Sequence, residues 1–279
     1  MTNRPTVVAV HGIWNLKADQ ASVQASQSLA ERWGAALAGG YRAAGLTVPV
    51  PPVAAVYYAD LLTDRAQGPL DDLTLLTRDE QRMAWAWMRE LGVPDELAQG
   101  SLTLPLRQAL SWLAQKRGLT SDTLGRIMTA VLREVYRYLT RPALRRHIRS
   151  LIIAAVEQHR PTALVAHSLG SVVAYEALHE RPDLMVDTFV TCGSPLGLPG
   201  TVFEALDPPP HDGRGARPPG IRQWINVADV GDLVAVPVDF GGRFPVDRHD
   251  TVHVGFADFH TFNGYLATSA VAAAIESTR

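Results

Sequence analysis

Ser168, Asp232 and His260 are residue types that together can carry nucleophilic acyl chemistry, and they stand in that order along this 279-residue chain. A serine hydroxyl is a weak nucleophile at neutral pH. It needs an imidazole to take its proton, and a carboxylate to orient and stabilise the imidazolium that forms. Ser168 lies in Thr162-Ala163-Leu164-Val165-Ala166-His167-Ser168-Leu169-Gly170, where a strand-like run meets a helical pattern with no spacer. A reversal so sharp brings the backbone close to itself, so the positions two residues either side must be small. Ala166 and Gly170 meet that demand. Such a corner strains the serine and lifts its hydroxyl clear of the sheet. The helix behind it offers a positive dipole end and the Leu169 N–H to a developing oxyanion. The plainer alternative is an ordinary turn with Ser168 as helix N-cap.

The partners have rivals. Asp232 follows the apolar run Trp224–Ala228, but Asp229 is only one helical turn away in sequence. His260 lies in Asp258-Phe259-His260-Thr261-Phe262 and competes with His253. Val252-His253-Val254 alternates like a strand, which makes His253 a surface or core group and favours His260 as base. The first apolar run, Thr6–Val10, ends at His11-Gly12-Ile13-Trp14, where Gly12 is expected to turn with φ > 0 and Ile13 could supply a second oxyanion N–H. His167 is expected to pack or hydrogen-bond beneath the corner, Ser171 and Ser194 to be small turn and helix residues, and Cys192 to be a buried small hydrophobe. His249 and His253, with Asp247 nearby, invite a metal reading that needs both imidazoles on one helical face. Pro245, Thr251, Val252 and Gly255 argue against a helix there, so no metal is expected. Neither a phosphate-cradling G-x-x-x-x-G-K-[ST] loop nor a G-x-G-x-x-G turn occurs, and no cofactor is expected.

The elements that must position these groups are legible as a pattern. Short apolar runs at 6–10, 53–58, 189–192 and 224–228, with the one before Ser168, read as strands buried on both faces. Helical patterns at about 20–44, 142–159, 169–180 and 267–275 alternate with them. The expectation is an α/β fold, a mostly parallel central sheet flanked by helices, with chemical groups gathered at the carboxyl ends of strands. Residues 205–220, rich in Pro and Gly, read as an exposed loop. From 61 to 140 no strand pattern appears, and helical pieces are separated by Gly68-Pro69, Gly92-Val93-Pro94, Pro105 and Gly118. That stretch reads as a helical cap inserted between a core of 1–60 and 141–279. Its bulky residues, such as Trp85, Trp87, Met88 and Trp112, would form the cap's own core or line a hydrophobic pocket.

Composition removes several classes of function. A net charge of −2 argues against a nucleic-acid binder. Arg141, Arg145 and Arg149 share one helical face and read as solvated. One cysteine excludes an intrachain disulfide. No apolar run approaches the ~20 residues of a membrane span, and no secretory leader pattern is present, so stable membrane insertion is not expected and a cytoplasmic location is.

Taken in order, His11-Gly12, the corner His167-Ser168-Leu169-Gly170, Gly193-Ser194-Pro195-Leu196, Asn226-x-x-Asp229-x-x-Asp232-x-Val234 and His260…Tyr265-Leu266 resemble the α/β-hydrolase superfamily. They lie near its lipase- and esterase-like serine hydrolases whose nucleophile elbow reads H-S-L-G. The resemblance covers about 1–60 and 141–279, not the cap. It implies a Ser168–His260–Asp232 triad, with Asp232 as the acid because it directly precedes the small apolar pair Leu233-Val234, and Asp229 left to loop hydrogen bonds. It also implies an oxyanion hole from the backbone N–H groups of Ile13 and Leu169. The function implied is cleavage of a carboxylic ester or thioester of a small, acyl or otherwise hydrophobic substrate, through an acyl-enzyme. An acyltransferase or peptidase would use the same triad, and a catalytically silent hydrolase fold would serve as a binding module. No protein partner can be read from the chain.

Overall fold

Runs with no polar face make the middle of the sheet. In the computed structural model, which describes residues 6–13, 15–62, 76–98, 103–235, 240–255 and 260–277, every residue of β1 (Val7–Val10) and β3 (Ala163–His167) is buried. Trp14, the Gly68-Pro69 break and Asp258-Phe259 lie outside the described residues. β4 (Val186–Cys192) and β5 (Ile221–Asp229) continue the sheet on one side. β2 (Val53–Val56) and β6 (Arg248–Val252) are its edges. The order is β2-β1-β3-β4-β5-β6, and every neighbouring pair is parallel. The fold is therefore α/β.

The chain steps outward from β1 to β2 and then returns to lay β3 on the other side of β1. That reversal opens a crevice at the carboxyl ends of β1 and β3, the place where open α/β sheets bind ligands. His11-Gly12-Ile13 leaves β1 there, and Ser168 follows β3.

Helices cover both faces. α1 (Ser22–Ala43) buries Leu29, Trp33, Leu37 and Tyr41, a four-residue spacing that makes one apolar stripe. It shares its layer with α9 (Phe262–Leu266) and α10 (Ser269–Glu276). The opposite layer holds α6 (Pro142–His159), which opens with Pro142 in its first turn, and α7 (Leu169–Glu180). Between β2 and β3 come α2 (Ala59–Leu62), α3 (Arg78–Glu90), a 3₁₀ turn at Asp95–Ala98, α4 (Thr103–Lys116) and α5 (Ser121–Thr140). Thr77 and Glu80 cap α3 reciprocally, side chain to backbone N–H in both directions. Among the described residues this stretch holds no strand. Trp87, Met88, Leu113 and Met128 of these helices join the same buried apolar cluster as Val8, Val10, Leu164 and Phe189 of the sheet, so they build no core of their own. A short α8 (Phe240–Arg243) precedes β6. Among the described residues no helix is long and apolar enough to cross a membrane.

Three local expectations change. The arginine face is solvated only at Arg141: Arg145 and Arg149 turn inward to Glu176 of α7, whose side chain has no exposure and also accepts the Tyr138 hydroxyl at 2.6 Å. A buried carboxylate needs such partners to stay charged, which is what draws the arginines in. The 205–220 segment is exposed only in part, because Leu206, Gly215, Pro218 and Gly220 are buried. The last helix starts at Ser269, where Thr268 accepts the Val271 N–H, and a separate short helix, α9, precedes it.

Candidate active site

The corner at Ser168 is as tight as its small neighbours require. Ser168 has φ 52° and ψ −130°, a strained conformation for a non-glycine residue that costs on the order of 1–3 kcal/mol. Its N–H donates to the Cys192 carbonyl at 3.0 Å, tying the corner to β4. The Ser171 hydroxyl donates to the Ser168 carbonyl at 2.6 Å and pairs with the Ser194 hydroxyl at 2.7 Å. The Ser168 hydroxyl caps nothing in α7. It faces His260 instead.

His260 Nε2 lies 2.9 Å from Ser168 Oγ, and His260 Nδ1 lies 2.8 Å from Asp232 Oδ2. An ionised carboxylate only accepts, so Nδ1 carries the proton and Nε2 is left to accept from the serine hydroxyl. All three residues are buried, with Ser168 1 % exposed and the other two 4 %. Thr261, next to His260, caps α9 by accepting the Gly264 N–H at 3.2 Å, which fixes where the imidazole enters. Asp232 Oδ1 accepts the Val234 N–H at 2.8 Å and the Ala235 N–H at 3.4 Å. Trp87 of α3 donates its indole N–H to the Leu233 carbonyl at 2.6 Å, so α3 holds the turn that carries Asp232.

The rivals occupy other places. Asp229 accepts the N–H groups of Gly231 and Val254 and shapes the turn that presents Asp232. His253 is exposed just beyond β6. His249 sits in β6 bonded to Asn226, and among the described residues no group of three His, Cys, Asp or Glu side chains could hold a metal. Cys192 is buried, and burial pushes its thiol pKa up.

The two expected oxyanion residues flank the serine, Leu169 directly after it and Ile13 after the closely packed Gly12. Leu169 is the first residue of α7, where helix geometry leaves the N–H without an intrahelical acceptor. Ile13 follows Gly12, and Gly12 lies so close to the serine that a Cβ on it would sit 2.3 Å from Ser168 Cβ and 2.9 Å from Ser168 Oγ. Gly12 does not adopt positive φ, contrary to the sequence expectation. Close approach, not chirality, demands the glycine. Gly170 is small for a like reason, since a Cβ there would meet the His11 carbonyl at 2.4 Å.

The 11–13 loop is held by groups the sequence did not single out. Tyr58 donates its N–H to His11 Nε2 at 3.1 Å and its hydroxyl to the His11 carbonyl. His11 Nδ1 donates to the Gly12 carbonyl at 2.6 Å, and Asn15 donates to the Ile13 carbonyl at 2.8 Å. Burial lowers the His11 pKa to about 4, against 6.5 for a free imidazole. A depressed histidine pKa makes the unfolded chain bind more protons, so its share of stability is whole above pH 6.5 and lost as pH falls towards 4. That share is on the order of 3 kcal/mol. We expect urea unfolding midpoints to fall between pH 6.5 and 4, and to fall less in His11→Asn; an unchanged pH slope in the variant would refute this role.

His167 packs beneath the corner, stacked on Phe262 at 5.2 Å and 4.6 Å from the His260 ring. Among the described residues neither of its nitrogens has a hydrogen-bond partner, and burial, then the His260 and His11 imidazoles, hold its pKa well below the usual range. It is therefore neutral beside His260. A cavity of about 920 Å³ lies between α1, the end of β6 and α9, with Ile13, His167 and His260 in its wall but not Ser168.

This arrangement can move the Ser168 proton onto His260 as the hydroxyl attacks a carbonyl. No protein-family model, no curated protein and no solved structure matches the chain.

Proposed function

We propose that this protein is a serine hydrolase of the α/β-hydrolase type, cleaving a carboxylic ester or thioester through an acyl-enzyme on Ser168. The observation that carries the reading is the unbroken, buried hydrogen-bond relay from Ser168 Oγ through His260 to Asp232. Ser168 attacks the carbonyl carbon, His260 takes the hydroxyl proton, and the oxyanion sits between the N–H groups of Ile13 and Leu169. His260 then returns the proton to the leaving oxygen or sulfur, and the acyl group stays on Ser168. In the second half, His260 deprotonates a water that attacks the acyl carbon, and Ser168 is released.

A hydrophobic substrate is supported by the company the oxyanion residues keep. Ile13 and Leu169 belong to the apolar cluster that also contains Leu76, Met83, Trp85 and Trp87. α3, α4 and α5 serve as the cap over this site, and Trp87 links it to the acid. The test is pre-steady-state turnover of p-nitrophenyl esters of increasing chain length. A burst of nitrophenol equal to the enzyme present, lost in Ser168→Ala, is expected. Well-folded wild-type protein that releases no nitrophenol above background would reject the reading in favour of a binding role.

A further inference from the structure

We infer that Tyr265 is a positioning residue for the acid, a fourth member that shares one oxygen of Asp232 with His260. This rests on the reading of Ser168, His260 and Asp232 as the reacting relay. The Tyr265 hydroxyl lies 2.6 Å from Asp232 Oδ2, the same oxygen that accepts His260 Nδ1–H. Its own proton has one destination. The hydroxyl accepts the Asp229 backbone N–H at 2.9 Å, so its O–H is directed to the carboxylate. Tyr265 has no exposure, and it sits in α9, the helix whose first cap residue follows His260. One short segment therefore delivers both the base and the group that fixes the acid.

The cradle has no slack. Gly193, with φ 53°, packs so that a Cβ would meet Asp232 Oδ2 at 2.7 Å and Tyr265 Cε2 at 3.0 Å. Asp232 then has its two oxygens divided. Oδ1 is held by the turn's own N–H groups, and Oδ2 is shared between a neutral donor and the imidazole. The shared donor does two things. It stops rotation of the carboxyl group about its Cβ–Cγ bond, and it draws charge from Oδ2, which weakens that oxygen's hold on an imidazolium. Burial, and the Asp232 charge next to it, keep the phenol protonated throughout the range in which the enzyme works. Among the described residues the other titratable groups around the pair are His167 against the His260 ring, Asp229 behind the Tyr265 hydroxyl, and Cys192 on β4. His167 and Cys192 are neutral for the reasons given above, so neither substitutes for the phenol.

Tyr265→Phe removes only the hydroxyl. The expected result is a roughly tenfold fall in kcat with KM within about twofold, from loss of one hydrogen bond to a charged group. The acid limb of the kcat/KM profile is expected to move to higher pH, because an undivided Oδ2 holds the imidazolium more tightly. The low-field NMR resonance of His260 Nδ1–H is expected to move further downfield for the same cause. An unmoved acid limb and an unmoved resonance in folded Tyr265→Phe would overturn the inference, and a fall in kcat alone would leave the residue merely structural. The NMR shift needs no turnover. If it appears in a protein that forms no acyl-enzyme, the catalytic reading fails while the Tyr265–Asp232–His260 coupling stands.

Discussion

His260→Ala is expected to lower p-nitrophenyl ester turnover by at least about four orders of magnitude without unfolding the protein. Among the described residues the imidazole alone reaches both Ser168 Oγ and Asp232, and the serine is buried. Without a base the hydroxyl must lose its proton to nothing, so the cost falls on kcat. His167 does not rescue it. Its ring lies 4.6 Å from that of His260, yet neither of its nitrogens bonds to Ser168. His253 is exposed beyond β6. Asp232→Asn should approach the same loss, about 10⁴-fold, because an amide can present N–H where Nδ1–H needs an acceptor and so favours the wrong tautomer. Steady-state kcat on purified, melting-checked variants measures both. Activity that survives His260→Ala and disappears in His253→Ala would move the base to the other histidine.

Gly12→Ala is expected to cost about 10²–10³ in kcat/KM, the size of losing one oxyanion donor. A single methyl has this effect because of where it lands, 2.3 Å from Ser168 Cβ and 3.0 Å from the His167 carbonyl. Either the serine corner or the 11–13 loop must move. The corner is pinned by Cys192 and Ser171, and the loop by Tyr58 and Asn15, so relief displaces the Gly12–Ile13 peptide from the nucleophile. Gly34→Ala is the matched control, since a Cβ there meets nothing within 4 Å and α1 gains a better helix former. Full activity in Gly12→Ala would mean that the Ile13 N–H is not a donor in the reaction.

What could be read from the chain is what local chemistry fixes. The valine and alanine runs before His11 and Ser168 have no polar face and became the fully buried β1 and β3. Pro142 and the apolar spacing after it placed α6 correctly, and Leu169–Glu180 followed from the same periodicity. Ser168, Asp232 and His260 stood out as a set because few side chains can serve one another in that chemistry. Long-range contacts were not visible. Gly12 looked like a turn glycine, and its true constraint is a serine more than 150 positions away in sequence. Arg145 and Arg149 looked solvated because their partner, Glu176, sits on another helix whose own pattern gave no sign of a buried charge. β6 was obscured because an edge strand of Arg, His, Asp, Thr and Val is half wet and lacks an apolar run. Tyr265 stands out in the sequence only by its spacing from His260. Its hydroxyl acquires meaning only when α9 and the Asp229–Asp232 turn meet.

Ser168 as the acylated atom is tested most directly by reaction with a fluorophosphonate followed by peptide mapping in a mass spectrometer. One adduct per chain is expected, on the peptide that contains His167-Ser168-Leu169, with no adduct in Ser168→Ala or after prior unfolding. Folded wild-type protein that remains unmodified, or an adduct that maps to another residue and persists in Ser168→Ala, would contradict the assignment.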